Sequence, residues 1–206
     1  MNSALQAFEK LREGNARFAS GKPTHAGLGG PSRRDELVET QAPFAVVLGC
    51  SDSRVPVEIV FDRDLGDLFV IRVAGNIVAS SQVGSVEFAA QRYRTRLVVV
   101  MGHSRCGAVQ ATLDELRRPS ESRSPNLRAI VDRIRPSVEE LLETELAEDE
   151  DGLLQHAVRA NVRASANQLR HGSEVLERLI RKEGLLVVGA LYSLESGVVD
   201  FFDGAP

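Results

Sequence analysis

No tryptophan occurs in this 206-residue chain, and there are only two cysteines, two tyrosines and two methionines. Two cysteines cannot build a disulfide framework; in a reducing compartment they point instead to metal binding or thiol chemistry. Long apolar runs are missing too: nothing approaches the roughly 20 residues of a membrane span. Residues 1–5 lack the charged and apolar regions of a signal peptide, so a cytoplasmic protein without a membrane partner is expected. There is no excess of basic charge either. Twenty-five Lys and Arg stand against 29 Asp and Glu, a net charge of −4, which argues against nucleic acid and leaves small solutes as partners. No internal repeat is visible. What is present is a 43% hydrophobic composition over 206 residues, enough to bury one sizeable core. We read 1–206 as a single domain, with 1–31 an arm helix and linker and 32–206 an α/β core.

The chain is organised around Cys50-Ser51-Asp52-Ser53-Arg54, which follows the apolar run at 44–49. Such a run reads as a buried parallel strand, and a residue just past its end sits at the carboxyl edge, where open α/β sheets hold their ligands. The pattern returns at 97–102, another apolar run, followed by His103-Ser104-Arg105-Cys106-Gly107. If the two strands are neighbours, two cysteines and a histidine converge at one sheet edge.

Around these motifs, Leu5, Phe8, Leu11 and Phe18 recur at helical spacing over residues 3–20, with Ser3 as N-cap and Gly21 as stop. This opening helix either packs on its own domain or, as an arm before the Gly- and Pro-bearing segment 21–31, lies across a second subunit. A short helix over 32–39 leads into the first strand, and 57–61 is a short irregular or helical piece. The pattern predicts a strand at 67–73, a helix at 81–94, the strand at 97–102 and a helix from Cys106 to about Arg118. Residues 119–125 form a polar loop, and 127–146 are largely helical, broken or kinked at Pro136. The acidic run 143–151 is expected as a solvated loop. Two further helices, through Leu154, Val158, Val162 and Leu169 and through Val175, Leu176, Leu179 and Ile180, precede a buried strand at 185–191. A turn at Glu195-Ser196-Gly197 returns the chain as an antiparallel edge strand at 198–202. The fold class is therefore α/β: a mostly parallel four-stranded central sheet with an antiparallel edge strand, helices on both faces and an N-terminal helical arm.

Two thiolates and one neutral imidazole are the donor set of an open, three-ligand zinc site. The thiolates cancel the two charges of zinc, Cys106 gains from the helix N-terminus that favours its thiolate, and the fourth position is left for water or an anion. Zinc acidifies such a water toward neutrality and so provides a hydroxide nucleophile; two thiolate donors predict weaker Lewis acidity than three histidines and an alkaline working range. Asp52 is spaced to accept a hydrogen bond from that nucleophile, and Arg54 to fix Asp52. Taken singly, buried cysteines, a lone histidine and an Asp–Arg pair each have ordinary structural explanations; their joint placement after two buried strands favours the site. His25, His156 and His171 sit in polar surroundings and are read as surface residues.

The two motifs, Cys50-Ser51-Asp52-Ser53-Arg54-Val55-Pro56 and Gly102-His103-Ser104-Arg105-Cys106-Gly107-Ala108, resemble the signatures of the β-class carbonic anhydrases, and the likeness extends through residues 67–76, the opening helix and the closing hairpin. The resemblance implies zinc, one per subunit, held by Cys50, His103 and Cys106, an Asp52–Arg54 catalytic dyad, and reversible hydration of carbon dioxide to bicarbonate and a proton by zinc-bound hydroxide. It also implies a homodimer, often paired again into tetramers. Carried over position by position, Gln41 matches a glutamine that reaches substrate in plant-type members, Phe69 an apolar residue of the substrate cleft, Phe88 a position commonly held by tyrosine, and Gly107 a further substrate contact. Arg72 and Tyr192 match two members of a regulatory bicarbonate pocket whose tryptophan is replaced here by Val47. The likeness is thus to the open-site, plant-type group. A carbonyl sulfide hydrolase on the same site and a non-catalytic zinc or redox-sensing module are the competing readings.

Overall fold

The structure is a computed structural model describing residues 3–24, 29–119 and 124–206; His25 lies outside the described residues, as do parts of the loops expected at 21–31 and 119–125. The sheet is built from β1 (Ala45–Gly49), β2 (Leu68–Arg72), β3 (Leu97–His103), β4 (Leu186–Tyr192) and β5 (Val199–Asp203). Their spatial order is β2-β1-β3-β4-β5. The first four run parallel and β5 pairs antiparallel with β4, as the apolar runs and the closing turn predict. Every residue of β1 and β3 is buried, the signature of central strands covered on both faces.

Side-chain alternation divides the core. Val47, Val99, Met101, Val188 and Ala190 face α1 (Ala4–Ala19) and α3 (Val57–Val60), meeting Ala7, Phe8, Leu11 and Phe61. Val46, Leu48, Val98 and Val100 face the other way. They pack on Val86, Ala89 and Ala90 of α4 (Ser80–Arg92), on Val162, Ala166 and Leu169 of α7 (Glu150–His171) and on Leu176 and Leu179 of α8 (Glu174–Glu183). The opening helix thus lies on its own sheet. It begins at a capping box in which Ser3 and Gln6 exchange hydrogen bonds, and it is tied down by Asn15, whose Nδ2 donates to the carbonyls of Val60 and Gly197. A short helix, α2 (Pro31–Leu37), precedes β1.

The remaining helices, α5 (Gly107–Arg117) and α6 (Pro125–Val138), stand beyond the carboxyl edge of the sheet. With the start of α7 they enclose a third apolar cluster containing Cys50, Ile77, Cys106, Val109, Leu113, Ile134, Leu153 and Leu191. Two local expectations are corrected here. α6 runs through Pro136 and ends at Val138, after which the chain tightens into 3-10 turns at Glu139–Glu143 and Glu145–Glu148. The acidic run is therefore not a plain solvated loop: Asp149 caps α7 by accepting from the Gly152 N–H, and Glu150 and Asp151 occupy the first turn, where the helix dipole favours negative charge. Among the described residues no helix is long and apolar enough to cross a membrane.

Candidate active site

β1 and β3 are hydrogen-bonded neighbours, with Gly49 opposite Met101. Cys50 leaves the end of β1, His103 closes β3, and Cys106 is the N-cap of α5. Parallel register thus delivers all three to one place: the Cys50 and Cys106 sulfurs and a ring nitrogen of His103 lie within 4.8 Å of one another, and all three residues are buried.

The ring orientation is fixed from behind. His103 Nδ1 lies 2.9 Å from the carbonyl oxygen of Ser104; a carbonyl only accepts, so Nδ1 carries the proton and Nε2 presents a lone pair. That Nε2 is buried and, among the described residues, makes no hydrogen bond of ordinary geometry. An orphaned buried acceptor costs about 1–3 kcal/mol, and a cation between it and the two sulfurs would satisfy it. The two buried thiols lie close enough to influence each other: the Cys106 side chain draws the Cys50 thiol below its ordinary value, while Cys50 and burial push that of Cys106 up. A divalent cation between them would favour both as thiolates. The donor set therefore fits a zinc-type ion.

The turn after β2 supports Cys50. The Gly75 N–H donates to Cys50 Sγ at 3.4 Å, and Asn161 of α7 donates to the Gly75 carbonyl at 2.7 Å. Gly75 has φ +69°, and a β-carbon there would meet Ile134 Cδ1 at 2.8 Å, so no other residue fits without displacement. Arg72 at the end of β2 donates from Nε to the Cys50 carbonyl at 2.8 Å and from Nη2 to that of Asp52.

Asp52 faces the cluster, with Oδ2 3.8 Å from His103 Nε2. Arg54 grips it with Nε on Oδ1 at 2.9 Å and Nη2 on Oδ2 at 2.8 Å, and its backbone N–H adds a third bond to Oδ1 at 2.9 Å. These bonds hold the Asp52 carboxyl well below the usual carboxylate range. The arrangement offers a cation three soft or borderline donors, an open side, and an ionised acceptor beside that opening.

A sequence model of the carbonic anhydrase family matches residues 45–199. A carbonic anhydrase of Mycolicibacterium smegmatis is 38% identical over 199 residues, covering 97% of this chain and 93% of the relative. Carbonic anhydrase 2 of Mycobacterium tuberculosis is 36% identical, covering 94% and 90%. Among solved structures, a β-carbonic anhydrase of Aspergillus fumigatus aligns with a TM-score of 0.75 at 26% identity, covering 97% of this chain and 90% of the other. The chain belongs to the β-class carbonic anhydrases.

Set against that family, the chain gathers part of the site expected from its sequence and leaves part elsewhere. Cys50, His103, Cys106, Asp52 and Arg54 come together, and Gly107 is the first residue of α5, exposed beside Cys106. Gln41, Phe69 and Phe88 do not join them. Phe69 pairs with Val46, four residues before Cys50, which puts it about 13 Å back along the strands. Its ring meets Phe88 at 6.2 Å and Tyr93 at 6.1 Å, while Gln41 is exposed in a depression shared with Val38, Arg92 and Tyr93. These residues form an aromatic patch at the opposite end of the sheet from their own chain's cluster. Tyr93, which the sequence reading did not single out, is part of it. Of the two positions matching a bicarbonate pocket, Arg72 is committed to the carbonyls just described, and Tyr192 is buried, its ring centroid 6.5 Å from that of Phe18. Val47 is a core residue. His156 and His171 are exposed.

Proposed function

We propose that this carbonic anhydrase binds one zinc ion through Cys50, His103 and Cys106 and hydrates carbon dioxide reversibly to bicarbonate and a proton. The observation that carries the reading is the buried His103 Nε2, without a hydrogen-bond partner among the described residues, facing two thiols with the Arg54-held Asp52 beside it. Zinc there supplies Lewis acidity, drawing the pKa of a water in its open position toward neutrality, a behaviour for which three-histidine carbonic anhydrases are the standing example. The residues do the rest. Asp52, ionised and unable to donate, accepts a hydrogen bond from the attacking water and so turns that water's lone pair toward carbon dioxide. Arg54 occupies both Asp52 oxygens and keeps the carboxylate from becoming a fourth ligand, which supports the open-site, plant-type reading. Gly107 lends its backbone N–H at the positive end of α5 to the negative charge that develops on the substrate oxygens.

Gln41, Phe69 and Phe88 act from a second subunit. They are too far from their own cluster, and they form an exposed patch, with Phe88 51% and Val38 75% exposed. A homodimer in which this patch covers the partner's cluster completes an apolar wall for a small apolar substrate, and pairing of dimers is in keeping with the tetrameric β-carbonic anhydrases of Sordaria macrospora, which this fold matches at a TM-score of 0.73. Two free thiols as ligands suit the reducing cytoplasm.

The deciding experiment is stopped-flow hydration of carbon dioxide by zinc-loaded and metal-stripped protein from neutral to alkaline pH. Turnover that requires zinc and rises smoothly with pH is expected, and Cys50→Ala or Cys106→Ala should abolish both zinc binding and activity. No turnover from protein confirmed to hold zinc would overturn the assignment.

A further inference from the structure

Only Ser104 and Arg105 separate His103 from Cys106, so the conformation of two residues sets how far apart these two donors stand. That span is bent sharply. Arg105 has φ +55°, a left-handed conformation that is unfavourable for a residue with a β-carbon and persists only where its surroundings impose it.

What imposes it comes from the other end of the chain. The Ser104 N–H donates to the Tyr192 carbonyl at 2.9 Å. The Ser104 hydroxyl accepts from the Leu194 N–H at 2.9 Å and donates to Glu195 Oε2 at 2.8 Å. Arg105 Nε donates to Glu195 Oε1 at 2.9 Å, and Ser193 Oγ donates to Oε2 at 3.2 Å. One carboxylate therefore grips both residues of the span from the β4–β5 turn. The Ser104 carbonyl, part of the same span, accepts the hydrogen bond from His103 Nδ1, so displacing Ser104 would reorient the ring that presents Nε2. An exposed ion pair by itself contributes little, and Glu195 and Arg105 are 55% and 68% exposed. The weight of this one lies in where it pulls.

We propose that Glu195 is a positioning residue of the metal centre: through Ser104 and Arg105 it fixes the separation of His103 and Cys106 and the orientation of the His103 ring. The inference rests on the zinc reading above. It assigns to an exposed turn glutamate, 89 residues beyond Cys106, control over how firmly the site holds its ion. Loss of such outer support typically lowers metal affinity or activity by 10–100-fold.

Because Glu195 is exposed, its variants should fold. The test compares wild type, Glu195→Ala, Glu195→Gln and Asp200→Ala, each loaded with zinc and mixed with a chromogenic chelator in excess, together with the visible spectrum of the cobalt-substituted proteins. Asp200→Ala is the control: it removes a carboxylate exposed to the same degree as Glu195, 53% against 55%, that lies on β5, pairs with Arg159 at 2.6 Å and does not touch the span. Zinc release from Glu195→Ala should be about 10-fold faster than from wild type, with an altered cobalt spectrum. Glu195→Gln, which keeps an acceptor and the side-chain length, should recover most of the difference, and Asp200→Ala should match wild type. Release and spectrum unchanged in Glu195→Ala would overturn the role of Glu195 while leaving the zinc site standing. Equal acceleration in Asp200→Ala would overturn it as well, by showing general loosening. A wild-type protein that takes up no zinc would overturn the metal reading and this inference with it.

Discussion

Asp52 has both carboxylate oxygens on one guanidinium and one of them 3.8 Å from the ring nitrogen that faces the cluster, so its charge and its aim are set by the same partner. The sign of its pH dependence follows. A carboxyl held below its ordinary range by Arg54 contributes its stabilisation above the unfolded value and loses it only as pH falls through the lower folded value. Across neutral and alkaline pH the pair is intact, so a rise of activity with pH, if the proposed zinc chemistry holds, should report the nucleophilic water and not Asp52. Asp52→Asn keeps Cys50, His103 and Cys106 and nearly the same shape, but it replaces an acceptor that cannot donate by an amide that can. Zinc content measured by atomic absorption should stay at wild-type level while kcat falls about 10–100-fold; full activity with zinc retained would remove Asp52 from the mechanism. These residues were legible in the sequence because the chemistry is written at short range: Asp52 and Arg54 follow Cys50 within four positions, and His103 and Cys106 frame one turn. The bonds that Glu195, Asn161 and Arg72 make to the site were not legible, although the sequence placed Glu195 in a turn and matched Arg72 to a different role. Their bonds to the site span 91, 86 and 22 positions, and no local pattern distinguishes them from any other turn glutamate, helical asparagine or strand-end arginine.

At the scale of elements, the site exists because two parallel strands end at the same level and a helix begins there, which the paired apolar runs at 44–49 and 97–102 made readable. Periodicity also placed α1, α7 and α8. It said less about how elements attach to one another. α1 is joined to the far end of the chain by Asn15, which is buried and donates to the Val60 and Gly197 carbonyls at 3.1 and 2.8 Å while accepting from the Val199 N–H at 2.8 Å. A single polar residue on an otherwise apolar helix face carries no sign of three such partners. Asn15→Ala strands those backbone groups and should lower stability by about 1–3 kcal/mol, read as a lower midpoint in urea unfolding. Zinc stoichiometry should be unchanged, because Asn15 touches neither motif. Pro136 marks a second limit of local reading: the ring removes one donor from α6, yet Ile134 and Val138, fully buried in the cluster around Cys106, hold the helix for two residues beyond it.

For the whole molecule, the geometry of one chain divides the expected site between two ends of a sheet. Cys50, His103, Cys106, Asp52 and Arg54 stand at the carboxyl edge; Phe69 stands roughly 13 Å back along the strands, with Phe88 and Gln41 in the patch around it. No motion of side chains closes that gap, since Phe69 is fixed by its backbone pairing with Val46 and Phe88 by α4. The proposed twofold pairing would bring the patch of one copy over the cluster of the other and reciprocally, the self-complementary arrangement of most homodimers. It would also bury Phe88, whose ring is packed edge-on against Tyr93, centroids 5.7 Å apart, and is half exposed in the single chain. Phe88→Glu places a charge at the centre of that contact and should yield monomers by analytical ultracentrifugation. Those monomers should keep one zinc per chain, because every proposed ligand is their own, but lose carbon dioxide hydration by at least about 10-fold, on the scale that misplacement of substrate-positioning groups carries. Full activity from monomers would show that one chain makes the whole site, and a Phe88→Glu protein that stayed dimeric would place the contact on another face.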